Sequence, residues 1–461
     1  MKELLVQKYG GTSIGTAARM TNVAQIVKDT LATGKPVAVV LSAMSSKIKK
    51  EGTTSQLLAA ADTAIEGGAY YKIVDHLEER HLETIREAIK DPALAAEISD
   101  EVHADFHKLK SFLDAISVIG EISPRSNDVI VGLGEKLSAR IFAGLLNSMG
   151  VDAEFVNLES VIDREFREIG LEFCQYMQDQ LRNRLKACGN RVPVITGYFG
   201  FVQGGIIKSI GRGYTDFTAA LVAAGCKAEE LQIWKEVDGI FSADPNKVEG
   251  AKVLPSISPE EALELTYYGS EVIHPFTMEQ VTRELVPVRI KNTFHPAKPG
   301  TLIDPRPDAE SGEHRATAVT VKRGVTLVNL YSNRMLMAYG FMTKVFDVLN
   351  KHEIVIDMIA TSEVNISMTL ADNQNLDNAL EELKTLGQVS VETDMAILSL
   401  VGRGMRHKVG VSGKMFTRLA EAGVNIEAIS QGASEINISC AIKDSQAEIG
   451  LKAVHAMLHE D

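Results

Sequence analysis

Four charged side chains stand beside glycines in three short runs of this chain, and those runs are where chemistry is most readily read. Lys8 closes the apolar stretch Leu4-Leu5-Val6 in LLVQKYGGTSIG and is followed by Gly10-Gly11-Thr12-Ser13. A glycine-rich turn after a strand lets backbone N–H groups approach an anion, most often phosphate. The lysine precedes the glycines, so the run is neither a Walker loop, G-x-x-x-x-G-K-[ST], nor a G-x-G-x-x-G dinucleotide turn. A lysine at a strand end is ordinarily a solvated charge. At the C-terminal edge of a parallel sheet, where ligands gather, its mobile ammonium group suits phosphoryl oxygens whose charge shifts during transfer.

The second run is SIGRGYTDFTAA at 209–220, in which two glycines flank Arg212 and Thr215-Asp216 precede a helical segment. Asp216 by itself is a helix cap. Capping does not account for an arginine between glycines, which suits forked recognition of a carboxylate or phosphate. The third run, VGLGEKLSAR at 131–140, superficially suggests a nucleotide loop. It lacks the third glycine and the KS/KT ending, so Glu135 reads as a carboxylate carried on a helix.

The elements that must position these groups follow from apolar patterning. Leu4–Val6 and Val37–Leu41 read as strands, with a helix of apolar stripe Met20, Val23, Ile26, Val27 and Leu31 between them, ended by Gly34. The continuous apolar character of both strands implies an α/β domain whose largely parallel sheet is covered on both faces. From about Ser55 to Gly120 the chain reads as a helical excursion. A further helix follows the Ser-Pro-Arg-Ser-Asn-Asp cluster at 123–128, and more strands read at 192–195, 231–234 and 286–290.

The chain has 461 residues, 45% apolar and 24% charged, enough for two or three domains with cores of their own. Its 48 basic and 61 acidic residues leave a net charge of −13, which disfavours nucleic-acid and anionic-membrane partners. Four scattered cysteines with no CxxC pair argue against a disulfide framework or zinc cage and fit a reducing cytoplasm. Neither a signal-peptide core nor a membrane-length apolar run is read.

Four of the thirteen prolines fall between Thr293 and Thr317, a linker composition. Beyond it the chain repeats itself: TSEVNISM (361–368) returns as ASEINISC (433–440), and Phe346, Leu349, Ile354, Ile356 and Ile359 are matched by Phe416, Leu419, Val424, Ile426 and Ile429. Each copy reads strand, helix, strand, strand, and two copies of one small unit usually pack together.

Taken in order, KYGGTS, LSAMS, GEKLSAR, ITGYFG, GRGYTDFTAA, WKEVDGIFSADP, YYGSEVIHP and PGTLI closely resemble the aspartokinases of the amino-acid-kinase fold. GFMTKVFDVLNKHEIVIDMIATSEVNISM and VSGKMFTRLAEAGVNIEAISQGASEINIS resemble their paired ACT domains. The resemblance implies a three-layer αβα kinase domain with a mainly parallel sheet at 1–295, a linker at 296–316, and two ferredoxin-like (α+β) ACT domains at 317–390 and 391–461. It implies transfer of the γ-phosphoryl of Mg-ATP to the β-carboxylate of L-aspartate, first step toward lysine, threonine and methionine. Other amino-acid kinases are the nearest competing readings, and a non-catalytic amino-acid sensor is the competitor of another class. The length leaves no room for a fused homoserine dehydrogenase.

By the same resemblance, Lys8 stabilises the transferring phosphoryl, Asp216 organises Lys8, and Gly10, Gly11, Thr12 and Ser13 line the phosphate side. Ser42, with Thr53 or Thr54, helps hold aspartate, whose α-carboxylate pairs with Arg212 and whose ammonium pairs with Glu135. Lys235, Glu236, Phe241, Asn246 and Glu271 border the nucleotide. Glu271 stands where some relatives carry lysine, and Lys235 is read as the compensating cation. Met335, Gly340, Phe341, Met342, Ile356, Asp357 and Ser362 stand at effector positions, with Ala338 where relatives often have a polar residue. The effector implied is lysine, threonine or both, and the assembly a homodimer or dimer of dimers through the ACT domains in the cytoplasm.

Overall fold

The structure is a computed structural model that describes residues 3–211, 213–267, 273–306, 316–335, 339–371, 375–403, 405, 408–432 and 436–459. Contacts divide the chain into two units, one of residues 1–240, 255–259 and 273–309, the other of 241–254, 260–272 and 310–461.

In the first unit, strands β1 (Leu5–Tyr9), β2 (Val37–Leu41), β3 (Ala153–Val156), β4 (Val192–Thr196), β5 (Glu230–Lys235), β6 (Ser256–Ile257), β7 (Val288–Asn292) and β8 (Thr301–Ile303) form one sheet in the order β3-β4-β2-β1-β5-β7-β8-β6. Neighbours run parallel except β7 and β8. Every residue of β1 and β2 is buried, as continuous apolar runs require of strands covered on both faces. Tyr9, Val37, Val39, Leu41, Val192 and Val194 face a large core shared with the helices Ala17–Ala32, Thr53–Ile65, Tyr71–Ala88, Pro92–Ile119 and Pro124–Ser148. The opposite face carries the helices Leu171–Ala187, Tyr214–Cys226 and Pro275–Arg283. Tyr214–Cys226 is buried along its whole length, which explains why its sequence is mostly apolar, with Thr215, Asp216 and Thr218 as its polar members.

The helix boundaries follow their caps. Thr16 accepts the Arg19 N–H at 3.3 Å, and Gly34 adopts φ +86° just beyond the end of the first helix. The cluster at 123–128 proves to be the start of the next long helix and not a loop before it: Ser123 caps it and Pro124 takes its first position. Strands β3, β6 and β8 escaped the sequence reading because they are short, and Glu154 and Leu302 are only half-buried. β8 lies within 296–316 and pairs with β7 and β6 of the first unit's sheet.

The second unit contains β9 (Ala318–Tyr331), β10 (Ile356–Thr361), β11 (Asn365–Ala371), β12 (Gln388–Val401), β13 (Ala428–Gln431) and β14 (Asn437–Lys443), in the antiparallel order β10-β11-β9-β12-β14-β13. The two repeat copies are visible as strand–helix–strand–strand–helix segments. β9 and β12 run alongside each other for their whole length, with the register shifting between Glu392 and Ala396. Val328 and Leu330 therefore enter the core of the first copy, whereas Val319 enters the core of the second, with Leu398, Met415 and Leu451. The second copy thus takes in the N-terminal half of β9, the first strand of the first copy, a long-range pairing that leaves no mark in the local sequence.

Candidate active site

Lys8 owes its direction to strand parity. Gln7 and Tyr9 turn toward the large helical core, where Tyr9 Oη donates to Gln7 Oε1 (3.1 Å). Lys8, in register with Val40 of β2 and Ile233 of β5, points to the face covered by Tyr214–Cys226. There Nζ lies 2.7 Å from Oδ1 of Asp216, in the first turn of that helix. Burial pushes the Asp216 carboxyl up, but the charge of Lys8, then that of Lys235, outweighs it and holds the group below the ordinary carboxylate range. Lys235 ends β5, the next strand of the sheet.

The turn after β1 is locked to the loop after β2. Gly11–Ile14 form a short 3₁₀ helix, Ser13 N–H closes it on the Gly10 carbonyl (3.0 Å), and Ser45 N–H donates to the Gly11 carbonyl (2.9 Å). A Cβ on Gly11 would sit 2.2 Å from the Ala43 carbonyl oxygen, so only glycine allows this approach. Arg19 donates to the Thr12 carbonyl (2.7 Å) and lies 3.6 Å from Glu236, joining the turn to the end of β5. Sequence reading missed Arg19 because it sits in the first turn of a helix with no motif around it.

Glu135 is buried in Pro124–Ser148. Gly134 beside it lies so close to the loop after β2 that a Cβ would come 2.7 Å from Ala43 Cβ and 3.2 Å from Thr53 Cγ2. Gly132 likewise makes room for the Tyr198 ring. The glycines of VGLGE are there for close packing of a helix, which is why they make no nucleotide loop. Tyr214 Oη donates to Glu135 Oε1 at 2.5 Å, while Oε2 is buried without a hydrogen bond. Burial raises the Glu135 carboxyl to about 7, against the lowering effects of the Tyr214 hydroxyl, the Ala43 peptide and the Lys8 charge. Tyr214 itself was missed by sequence reading, although it lies inside GRGYTD.

Thr53 begins Thr53–Ile65, fully buried, with its hydroxyl unpartnered and its N–H donating to the Met44 carbonyl (3.0 Å). Thr54 is half-buried. Ser42 N–H donates to the Tyr9 carbonyl (3.2 Å), and its own carbonyl accepts from Ser138 Oγ (2.7 Å). His274 abuts Gly213, and its ring is held below its ordinary pKa by burial, opposed by the charge of Asp216. Arg212 and Glu271 lie outside the described residues, so the guanidinium proposed for the substrate carboxylate is not described. Among the described residues, no group of three or more His, Cys, Asp or Glu side chains is arranged to hold a metal ion. No described helix is long and apolar enough to cross a membrane.

In the structure the sequence-proposed residues fall into two sets. Lys8, Gly10–Ser13, Ser42, Thr53, Glu135, Asp216, Lys235 and Glu236 belong to the first unit, whereas Phe241 and Asn246 belong to the second. Within the second unit, Phe241 bridges Val253 and Asn246 N–H donates to Asp244 Oδ1 (3.0 Å).

Of the residues at effector positions, five lie at or pack with the start of the helix Phe341–Lys351. Gly340 precedes it at φ +76°, Phe341 is buried, and Met335, Met342 and Ile356 pack against the same core. Asp357 on β10 pairs with Lys322 of β9 at 2.6 Å, and Ser362 N–H donates to the Asn365 carbonyl (2.8 Å). Ala338 lies outside the described residues.

Comparison with known proteins bears on the family and the fold. Residues 3–292 match the profile of the amino acid kinase family, and 328–385 and 398–458 match an ACT domain profile. The aspartokinase of Schizosaccharomyces pombe is 46% identical over 100% of this chain and 93% of its own length. Aspartokinase III of E. coli in complex with aspartate and ADP, in the R-state, superposes with a TM-score of 0.79 at 27% identity, covering 99% of this chain and 100% of that one. The same enzyme with lysine and aspartate, in the T-state, gives 0.78 at 28% identity with full coverage of both. The chain therefore belongs to the amino acid kinase family, as an aspartokinase with C-terminal ACT domains.

Proposed function

We propose that this chain transfers the γ-phosphoryl group of Mg-ATP to the β-carboxylate of L-aspartate, giving 4-phospho-L-aspartate and ADP. The observation that carries the reading is the Lys8–Asp216 pair at the glycine-turn end of β1, with the buried Glu135 in electrostatic reach of Lys8. An oxygen of the β-carboxylate attacks the γ-phosphorus. The bond to the β–γ bridging oxygen breaks, and its electron pair leaves with ADP. The attacking carboxylate has a pKa of about 4 and is already ionised, so the reaction needs no strong general base.

The difficulty is that two anions must meet, which calls for fixed cations and oriented dipoles. Lys8, aligned by Asp216, is the cation for the phosphoryl oxygens. Lys235, close enough for its charge to act on Asp216, adds positive potential on the nucleotide side. Magnesium enters as Mg-ATP, since it usually keeps several waters and binds largely through substrate phosphates. At the other end, Glu135 Oε2 and Thr53 Oγ1 are buried polar atoms with no hydrogen bond inside the chain, chemically suited to an amino acid's ammonium and carboxylate groups. Burial beside Gly134 favours Thr53 over Thr54 for this role.

The ACT pair binds an amino-acid effector, lysine, threonine or both, at the site around Gly340, Asp357 and Ser362. The lysine complex of the E. coli relative supports this reading. The reaction is the first step of lysine, threonine and methionine formation in the cytoplasm, and the ACT domains join chains into a homodimer or a dimer of dimers.

The test is an acceptor screen with hydroxylamine present, which captures an acyl phosphate as its hydroxamate. ADP and hydroxamate should appear together and depend on aspartate. Faster turnover with glutamate or acetylglutamate would move the chain to another amino-acid kinase reaction, and no acceptor-dependent turnover would favour a sensor.

A further inference from the structure

Glu135 is held from outside its own helix by a residue that no motif argument identified. Tyr214 is 3% and Glu135 2% exposed, and the 2.5 Å hydrogen bond between them uses Oε1. Oε2 has no partner in hydrogen-bond geometry, and beyond Tyr214 the carboxylate is approached from the loop after β2 only by the Ala43 peptide. A purely structural Tyr–Glu pair in a core would satisfy both oxygens, because an unpaired buried acceptor is destabilising. The open oxygen is explained if a ligand's donor completes it. Tyr214 is also two residues before Asp216, in the same first helical turn. Its carbonyl accepts Thr218 Oγ1 (2.9 Å), so that turn is braced. One rigid element therefore touches Glu135 through Tyr214 and Lys8 through Asp216.

We propose that Tyr214 is a positioning residue for aspartate recognition, its hydroxyl fixing the Glu135 carboxylate so that Oε2 receives the substrate ammonium in register with Lys8. The inference rests on the reading of Glu135 given above. The groups facing Glu135 are Lys8 from β1, the Ala43 peptide after β2 and Tyr214 itself. Tyr198, after β4, and Asp128, on the same helix, lie farther around the same site. Burial and the Glu135 charge keep the Tyr214 proton in place far above neutral pH, so it acts as a donor only. By donating, it favours the ionised carboxylate, and its loss must move the Glu135 pKa upward.

The experiment compares steady-state kinetics of wild type, Tyr214→Phe, Glu135→Gln and the double variant from pH 6 to 9. Tyr214→Phe should raise the aspartate KM about tenfold at pH 7, as loss of a hydrogen bond to a charged group implies. The kcat and the ATP KM should change much less. The acid limb of kcat/KM for aspartate should shift to higher pH, and the KM difference should shrink toward pH 9. A packing defect alone would not move that limb. The double variant should be no worse than Glu135→Gln, because Tyr214 acts through Glu135. Tyr214→His, which keeps an N–H donor, should lie between wild type and Tyr214→Phe, and serves in its place if the phenylalanine variant does not fold. An unchanged aspartate KM and acid limb in either Tyr214 variant overturns the proposal. An unchanged aspartate KM in Glu135→Gln overturns the assignment of Glu135 itself, a separate failure.

Discussion

Lys8 Nζ lies 2.7 Å from Asp216 Oδ1, with 9% and 11% of the two side chains exposed. A buried pair of this kind contributes little net stability, but removing one partner leaves the other charge stranded, a loss of about 3–5 kcal/mol. Lys8→Met should therefore lower kcat on the order of 100- to 1000-fold and also lower Tm. Adding Asp216→Asn should recover much of the Tm and none of the activity. Steady-state assays with thermal melts of wild type and both variants check this, and activity within threefold of wild type in Lys8→Met would remove Lys8 from the reaction.

Glu135 predicts a stability that depends on pH. Its carboxyl is raised by burial to about 7 in the folded chain, against an ordinary value of 4.5. The folded state therefore holds a proton that the unfolded state has released between those values, and stability falls as pH rises from about 4.5 to about 7. Glu135→Gln carries no charge, so it should be more stable than wild type at pH 8, by on the order of 1–3 kcal/mol. That advantage should vanish below pH 4.5. Denaturant melts at pH 4.5 and 8 without substrate measure it, and an equal difference at both pH values would contradict the buried, titrating carboxylate.

Gly11 tests the turn. A methyl group there would meet the Ala43 carbonyl oxygen at 2.2 Å, a backbone atom that cannot rotate away. Gly11→Ala should displace the loop after β2 and cut activity at least tenfold, since misplacement by about 1 Å is enough for such losses. Gly34→Ala is a useful comparison: its φ is strained for alanine but nothing lies within 4 Å of the new methyl, so stability should fall while kcat holds. Equal kcat values for the two variants would argue against a catalytic role for the turn.

Lys235 is the nucleotide-side prediction. Its charge acts on Asp216, which places positive potential beside the phosphoryl end. Lys235→Ala should raise the ATP KM severalfold and leave the aspartate KM nearly unchanged. ATP kinetics indistinguishable from wild type in Lys235→Ala would mean that other groups hold the nucleotide.

At the effector site, Ser362→Leu should relieve inhibition by lysine by filling the space after β10. The Asp357–Lys322 pair gives a second handle, because an effector ammonium must share or replace the Lys322 contact. Asp357→Asn should weaken the effector by about tenfold or more, as loss of a charge-assisted contact implies. Titration calorimetry with lysine and with threonine measures both variants, and inhibition that survives in both would place the effector elsewhere.

What the sequence determined by itself was local. Strand β1 with its glycine turn, the helix ended at Gly34, the helical stretch to 119 and the duplicated C-terminal unit all follow from apolar period, caps and turn residues within about 20 positions. The residue types suited to phosphoryl transfer were legible in the same way, because Lys8, Glu135 and Asp216 sit in glycine-marked runs. The tertiary structure decided which of them meet. Strand parity turned Lys8 toward Asp216, and packing through Gly134 put Thr53 beside the Glu135 helix. Tyr214 and Arg19 gained their roles only when distant segments came together. The pairing of β9 with β12, which lends the second ACT half part of the first half's opening strand, was equally beyond local pattern. Hydrogen bonds and charge interactions between residues far apart in sequence depend on where the chain folds back, and no spacing along the chain encodes that distance.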